Sequence, residues 1–403
     1  MHSPKKQFIF YLVFFFILLI VTFILAEIGM RIYHVAHERR EYIWVPDYHL
    51  GHALSPNNTF VYYGDKSHAE FVTHPRTNNY GMLQSDDVDF AKDDTVFRVV
   101  FLGDSFTEGM QVEEADRYVE RLEQWFNQQD VFNGKKVQVI NAGVRGYSPI
   151  THYLHYKNKI RQFKPDLVIL QLFANDVFED NASMARSVLD DKGLPVKLNE
   201  YFLAKYVDRQ VKAGDIISVD SWIMKAHKFL KKHSKFYQYI FVTRERGHKK
   251  DPTHQAMKVE PQFAEGYQFY VVQNHNENVF GEPDFRGRGW KQTKYFISSL
   301  KDLVENDGAQ FMMFYIPIEA QLDLETYGQN GRMFFGETKQ GTYINERLKE
   351  FAEAENIRFL DLLGPFNARA KEKLYLNWDG HLTISGHRVL AEELADFMDK
   401  ELF

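Results

Sequence analysis

A serine that follows a strand-like run is the first residue of this sequence that could do chemistry. It is Ser105, in Gly103-Asp104-Ser105, directly after the residues Phe-Arg-Val-Val-Phe-Leu. A β-branched and aromatic run that ends at a glycine predicts a buried strand followed by a tight turn. Ser105 is therefore expected at the carboxyl end of a strand, where open α/β sheets bind ligands. Because glycine, aspartate and serine are also ordinary turn formers, the tripeptide needs partners elsewhere in the chain.

A nucleophilic serine needs a base, and a candidate lies in residues 377–383, Asn-Trp-Asp-Gly-His-Leu-Thr. Asp379 and His381 are two residues apart, and side chains at that spacing point the same way on extended backbone. The pair predicts that His381 takes the proton of Ser105 while Asp379 orients the ring and stabilises the imidazolium. The alternative is a helix-entry turn with an incidental histidine.

Two further predicted strands end in groups that could bind an oxyanion. Gly143 follows the second strand, and a glycine lets its backbone N–H approach a ligand closely. Asn175 follows the third strand and offers a side-chain amide. Ordinary loop chemistry is the alternative for each, but together with Ser105 they predict a hydroxyl, an N–H and an amide at one edge of the sheet.

The elements that must position these residues alternate between strands and helices. The predicted strands are Arg98–Leu102, Val137–Ile140, Asp166–Phe173, Gln310–Ile316 and Ile357–Leu360, with amphipathic helices between and after them. This alternation predicts an α/β fold with three layers, α/β/α, around a parallel sheet. Five such strands are typical of a flavodoxin-like order.

The motifs resemble those of the SGNH (GDSL-type) hydrolases, in particular membrane-anchored bacterial members. The matching residues are Gly103-Asp104-Ser105 with Gly109, then Gly143, then Asn175-Asp176, and finally Asp379 and His381. The resemblance implies a catalytic triad of Ser105, His381 and Asp379, with Asp104 and Asp176 as supporting residues. It also implies an oxyanion hole made by the backbone N–H groups of Ser105 and Gly143 and by the Asn175 side chain. It requires no cofactor and no metal.

The sequence departs from the family pattern at two places. Phe173 stands where the third block usually has glycine, which is expected to reshape the acyl pocket. The last block reads Asp-x-His, whereas the family more often has Asp-x-x-His; this spacing is similar to that of alginate acetyltransferase-like relatives and favours a sugar hydroxyl as acceptor. The Gly-x-Ser-x-Gly elbow of α/β-hydrolases is absent, because Thr107 replaces its second glycine.

The amino-terminal segment predicts a membrane anchor. Phe8 to Ala26 is a run of 19 uncharged residues after Lys5 and Lys6. As a helix it would span about 28 Å, close to the thickness of the bilayer core. No small-residue cleavage site follows, so the sequence predicts an uncleaved signal anchor. The two lysines favour a cytoplasmic amino terminus in a single-pass inner-membrane protein, with the catalytic domain periplasmic or extracellular.

The predicted organisation is an anchor at 1–30, a juxtamembrane helix with a small β-rich extension at 31–96, and a hydrolase domain at 97–403. That domain holds a helical insertion at about 181–288, too long for a simple connection. A helix with a basic face within 225–250 is interpreted as a solvated face; the alternative is a surface for anionic lipid or acidic polysaccharide.

Composition narrows the function. A net charge of −6 argues against general nucleic-acid binding, and the absence of cysteine excludes disulfides, zinc-thiolate sites and cysteine nucleophiles. The sequence predicts a membrane-anchored serine esterase that removes an acyl group, such as O-acetyl, from a carbohydrate or another small ester. The alternatives are an O-acyltransferase acting on an exported polysaccharide, a lysophospholipase, and a non-catalytic binding or assembly protein on a hydrolase scaffold.

Overall fold

A computed structural model gives the structure of this protein. It describes residues 4–36, 43–63, 70–129, 132, 134–185, 187–191, 193–198, 234, 283–322, 343–377 and 379–402. The chain separates into two compact units, one of residues 1–40 and 209–262 and one of residues 41–208 and 263–403. The predicted basic helix within 225–250 and most of the predicted insertion lie outside the described residues.

In the first unit the described helix is α1, Pro4–Ala36. Its stretch Phe10–Gly29 is long and apolar enough to cross a membrane, judged by length and composition. The large apolar side chains along this stretch are exposed. Because residues 8–26 are uncharged and apolar on every side, this part of the helix has no polar face to present to water.

The second unit is built on a five-stranded parallel sheet. Its strands are β5 (Val96–Gly103), β6 (Lys136–Gly143), β7 (Leu167–Leu172), β10 (Gln310–Tyr315) and β11 (Arg358–Asp361). They lie in the order β11-β10-β7-β5-β6, and every pair is parallel. The predicted strands and flavodoxin-like order are therefore confirmed, with strand ends that differ from the prediction by at most three residues.

The direction of chain travel assigns the helices to the two faces. From β5 the chain moves outward to β6 and then returns past β5 to β7, β10 and β11. Because parallel crossovers are right-handed, this reversal puts the first connecting helix on one face and the later connections on the other. The helices of this unit are α2 Ser105–Glu108, α3 Tyr118–Gln129, α4 Pro149–Asn158, α5 Asp176–Ala185, α6 Pro283–Asn306, α7 Tyr343–Ala354, α8 Leu363–Ala368 and α9 Ile384–Leu402. Helices α3 and α9 pack together, and α4, α5 and α6 pack together.

Short 3₁₀ turns join several of these elements. They are Glu114–Asp116, Ile160–Phe163, Glu319–Gln321 and Ala370–Glu372. The predicted helix from Ile150 to Phe163 is thus α4 followed by a separate turn. Lys164, with φ +51°, ends it before Pro165.

The β-rich extension consists of small antiparallel pairs. Strands β1 (Trp44–Asp47) and β2 (Gly51–Leu54) form one pair, and β3 (Tyr62–Tyr63) and β4 (Val72–Thr73) form another. A third pair, β8 (Ser187–Leu189) and β9 (Pro195–Leu198), opens the predicted insertion. The described start of the predicted insertion thus consists of the end of α5 and this hairpin, and the helix predicted further along it stays a prediction. The hairpin joins the extension, because Leu198 N–H donates to the His49 carbonyl at 2.9 Å.

The core surrounds the two central strands. Val99 to Leu102 and all six residues of β7 are buried, as expected for parallel strands covered on both faces. β5 and β7 are neighbours at the point where the chain reverses direction in the sheet. Open α/β sheets bind ligands at this switch point, beyond the carboxyl ends of the strands.

Candidate active site

Ser105 is the first residue of α2, the short helix that follows β5. Asp104 caps this helix, because its Oδ1 accepts the Phe106 N–H at 2.9 Å. The N–H of a first helical residue has no acceptor inside the helix, so that of Ser105 can serve a ligand. In the fully described stretch from Arg98 to Val112, Ser105 is the only residue that is not buried. The fold thus exposes this hydroxyl on an otherwise buried turn.

His381 and Asp379 meet Ser105 at this edge of the sheet. His381 Nε2 lies 2.7 Å from Ser105 Oγ, and His381 Nδ1 lies 2.5 Å from Asp379 Oδ1. Burial alone would raise the pKa of Asp379, but the hydrogen bond and charge of His381 outweigh it and hold that pKa below its ordinary value. The base is therefore within reach of the hydroxyl proton, and an ionised carboxylate orients its ring.

The contact between Asp379 and His381 was predicted from the sequence, but the backbone conformation that produces it differs from the prediction. The expectation of extended backbone is wrong, because the residues lie on a tight loop. Leu376 N–H donates to the His381 carbonyl at 2.8 Å, and Gly380 N–H donates to the Leu376 carbonyl at 3.3 Å. Gly380 has φ +77°, a conformation that favours glycine. The loop therefore brings the two side chains together through a reversal of the chain.

Asp104 and Asp176 are both buried beneath the site. Burial raises the pKa of Asp104 to about 6, although the Phe106 N–H and the nearby His381 favour its ionised form. Burial also raises the pKa of Asp176 well above its ordinary value, and the charge of Asp104 adds to the rise. Asp176 Oδ2 accepts the Phe173 N–H at 2.7 Å, which fixes the end of β7. The two carboxyls thus hold the turns after β5 and β7.

The two other predicted donors are at the ends of the strands that flank β5. Asn175 follows β7 and is partly buried, and its side chain acts against the rise in the pKa of the Asp104 carboxyl. Gly143 ends β6 beside Gly103, but its N–H donates to Asn141 Oδ1 at 3.1 Å. This N–H reaches a ligand only if it leaves Asn141. The next turn, closed by Tyr147 N–H on the Val144 carbonyl at 3.1 Å, contains Gly146 at φ +74°.

An aromatic and ionic cluster beside the site was not predicted from the sequence. Glu108 is fully buried at the end of α2, and its Oε1 accepts the Trp44 indole N–H at 3.2 Å. Arg145 Nε lies 3.8 Å from Glu108 Oε2, and Arg145 Nη2 donates to the Tyr62 hydroxyl at 2.5 Å. The guanidinium also lies 5.1 Å from the centre of the Trp44 ring. Trp44 and Tyr62 belong to the extension, so this segment contributes to the surroundings of Ser105.

Comparison with known proteins agrees with the motifs. Residues 101–213 match the GDSL-like Lipase/Acylhydrolase family. The match confirms the predicted resemblance to the GDSL-type (SGNH) hydrolases over these residues, and the chain carries the parallel α/β sheet expected from that resemblance. That family supports ester hydrolysis as the general activity. No curated protein matches the chain.

Solved structures with a related arrangement include two acetylxylan esterases and TesA. Axe2 from Geobacillus stearothermophilus is 14% identical, with a TM-score of 0.36, over 75% of this chain and 94% of its own. AlAXEase is 13% identical, with a TM-score of 0.38, over 74% of this chain and 98% of its own. TesA is 11% identical, with a TM-score of 0.37, over 75% of this chain and 98% of its own. Likenesses at this level do not bear on substrate.

Proposed function

We propose that this protein is a serine esterase that transfers an acyl group through an acyl-Ser105 intermediate. The observation that carries the proposal is the chain of contacts from Ser105 Oγ to His381 Nε2 at 2.7 Å and from His381 Nδ1 to Asp379 Oδ1 at 2.5 Å. A hydroxyl, an imidazole and a carboxylate in this sequence of contacts can activate a nucleophile.

The proposed reaction has two halves. Ser105 Oγ attacks the ester carbonyl carbon while its proton moves to His381 Nε2, and Asp379 stabilises the resulting imidazolium. His381 then gives this proton to the leaving alcohol oxygen as the carbon–oxygen bond breaks. In the second half, His381 takes a proton from water as the water oxygen attacks the acyl carbon. The bond between the acyl carbon and Ser105 Oγ then breaks, His381 returns the proton to Oγ, and the carboxylic acid leaves.

The negative charge that develops on the carbonyl oxygen needs hydrogen-bond donors. We assign this role to the Ser105 N–H at the start of α2 and to the Asn175 side-chain amide. The predicted third donor, the Gly143 N–H, would first have to leave Asn141 Oδ1. The Gly146 N–H in the following turn is the alternative third donor.

Aromatic packing beside Ser105 supports a short acyl group. The Phe106 ring lies 4.2 Å from the Phe173 ring and 4.8 Å from the His381 ring, measured between centroids. Phe173 is only 6% exposed and occupies the position where the related family usually has glycine. A phenyl ring here fills space that a glycine would leave open, which favours an acetyl or similarly small acyl group.

The membrane anchor remains part of the proposal. The length and composition of α1 support a span, and Lys5 and Lys6 support a cytoplasmic amino terminus with the esterase domain periplasmic or extracellular. Alkaline extraction of membranes should leave the full-length chain in the pellet. Recovery in the supernatant would contradict anchoring and leave the esterase proposal intact.

Active-site labelling tests the esterase. The full-length chain in mild detergent should react with a fluorophosphonate probe and hydrolyse p-nitrophenyl acetate. Ser105→Ala should lose the labelling and lower kcat by at least roughly a thousandfold, because no other group can form the acyl intermediate.

Ser187→Ala is the matched control, since this serine lies in β8 and its hydroxyl donates to the Ser183 carbonyl at 2.8 Å. It should label and react like the wild type. A folded wild-type chain that resists the probe, or a labelled Ser105→Ala variant, would overturn the proposal.

An O-acyltransferase is the alternative function, because the spacing of Asp379 and His381 is similar to that of acetyltransferase-like relatives. An acetyl donor supplied with and without a sugar acceptor separates the two reactions. A hydrolase releases acetate at the same rate in both conditions. A transferase accelerates with the acceptor and yields acetylated sugar.

A further inference from the structure

A glutamate of the extension holds the loop that carries Asp379. Glu70 Oε1 accepts the Asn377 N–H at 2.8 Å, and Glu70 Oε2 accepts the Asp379 N–H at 3.1 Å. Glu70 lies two residues before β4, 307 and 309 positions away from its two partners in the sequence. A single carboxylate thus spans the segment that leads into the predicted triad.

The described backbone N–H groups of the loop divide into two sets. Those of Leu376 and Gly380 are satisfied inside the loop, by the His381 and Leu376 carbonyls. Those of Asn377 and Asp379 are satisfied by Glu70. Asn377 is exposed, but Asp379 is partly buried, where a backbone donor needs an acceptor and the loss of one costs free energy. Glu70 therefore completes the hydrogen bonding of the loop from outside.

The contacts continue without a gap to the nucleophile. Glu70 fixes the Asp379 backbone, the Asp379 carboxylate contacts His381, and His381 contacts Ser105 Oγ. We propose that Glu70 is a positioning residue, which acts on the reaction by holding Asp379 in the geometry that orients His381. This role rests on the esterase activity proposed above.

The chemistry of the side chain suits this task. A carboxylate presents two acceptor oxygens in one plane, and hydrogen bonds to a charged acceptor are roughly twice as strong as neutral ones. Glu70→Gln keeps one acceptor and turns an NH₂ group toward the other N–H, whereas Glu70→Ala removes both acceptors. Both variants keep the chemical groups of the triad.

The test compares kcat and KM of the full-length chain on p-nitrophenyl acetate. Glu70→Gln should lower kcat about tenfold and leave KM within about twofold, because ester binding does not involve the carboxylate. Glu70→Ala should lower kcat further. Near-ultraviolet circular dichroism and the melting temperature report whether the variants remain folded.

The variant Asp379→Ala distinguishes positioning from a purely structural role, because it shows whether the effect of Glu70→Gln on kcat depends on Asp379. This substitution should itself lower kcat roughly a thousandfold or more. When Asp379 is absent, Glu70→Gln should cause no further loss, because the side chain that it positions is gone. A residue that only stabilises the fold would lower kcat by the same factor in both backgrounds.

Glu113→Gln is the matched control. The Glu113 carboxylate accepts the His74 N–H at 3.2 Å and also contacts the His74 ring, so it binds the extension without contact to the loop of Asp379. Its variant should retain the wild-type kcat.

Two outcomes would overturn the role of Glu70: a wild-type kcat in Glu70→Gln, or an equal loss with and without Asp379. Fluorophosphonate labelling separates this failure from that of the proposed function. A wild-type chain that is not labelled would contradict both the esterase and the role of Glu70. A labelled wild type together with a Glu70→Gln variant of unchanged kcat would contradict only the role of Glu70.

Discussion

At the scale of single residues, Glu108 near Ser105 is a buried carboxylate that needs compensating partners. Its side chain is fully buried three residues after Ser105, and burial raises its pKa even though Arg145 favours its ionised form. A buried carboxylate is tolerated when it has a counter-ion and hydrogen-bond donors. Arg145, which keeps 38% of its side chain exposed, supplies the charge, and Trp44 donates the hydrogen bond.

Arg145→Ala should therefore destabilise the protein by roughly 2–3 kcal/mol, because it leaves the buried Glu108 carboxylate without its cation. The loss is best measured as a fall in the melting temperature of the full-length chain. Adding Glu108→Gln to this variant should recover part of the loss, since a neutral amide needs no counter-ion. A double variant that is less stable than Arg145→Ala would contradict the pairing.

The chemistry of the site was more predictable than its surroundings. Ser105, His381 and Asp379 were proposed as site residues because each residue type has a defined task and each follows a predicted element. Glu70, Trp44 and Tyr62 were missed, because they lie in the extension and reach the site only through the tertiary fold. No spacing rule links Glu70 to a loop more than 300 positions away.

At the scale of elements, the site depends on the close approach of α2 to the end of β6. A Cβ atom added to Gly143 would lie 2.4 Å from Glu108 N and 2.6 Å from Thr107 C, both backbone atoms of α2. Backbone cannot move aside as a flexible side chain can. A side chain at this position would push away the helix that begins with Ser105.

Gly143→Ala should therefore cost roughly 1–3 kcal/mol of stability and lower kcat, because overpacking displaces α2. Gly308→Ala is the matched control: its φ of +85° strains an alanine, but nothing lies within 4 Å of the added Cβ. That control should lose about 1 kcal/mol and keep its activity. Similar kcat values for both variants would show that α2 does not depend on this contact.

Elements were predictable where the sequence pattern itself determines them. The continuous apolar run of β7 announces a strand buried on both faces, and alternation with helices gives the parallel sheet. For the loop of Asp379 and His381, the contact between the two side chains was predicted, but the extended backbone was not found. Gly380 at φ +77° reverses the chain there. Such a reversal depends on hydrogen bonds with Leu376, which periodicity does not reveal.

At the scale of the whole molecule, stability is expected to depend on pH in two opposing ways. Burial lowers the pKa of His152 and His387 to about 3, and it raises the pKa of Asp180 and Glu120 to about 7. The histidines contribute stability that is complete above their ordinary pKa of about 6.5 and is lost as pH falls toward 3. The carboxyls contribute stability that is complete near pH 4 and is lost as pH rises through 7.

His387 provides a direct test of the acid side. Its Nδ1 accepts the Tyr118 N–H at 3.3 Å, so protonation would remove this acceptor and charge a buried ring. His387→Gln should reduce the loss of stability between pH 6 and 4 by about 1.4 kcal/mol per pH unit at most, the effect of one proton. Unfolding curves across this range give the slope. Equal slopes in the wild type and the His387→Gln variant would contradict the assignment.

The distance along the chain between Ser105 and His381 has a consequence for the synthesis of the protein on the ribosome. The two residues that touch through one hydrogen bond are 276 positions apart. At about 5–20 residues per second, a ribosome needs roughly 15 to 55 seconds to travel from one to the other. During that interval the nascent chain has the proposed nucleophile but not the proposed base. The proposed esterase activity therefore requires that the last strand, its loop and α9 have been synthesised and have docked.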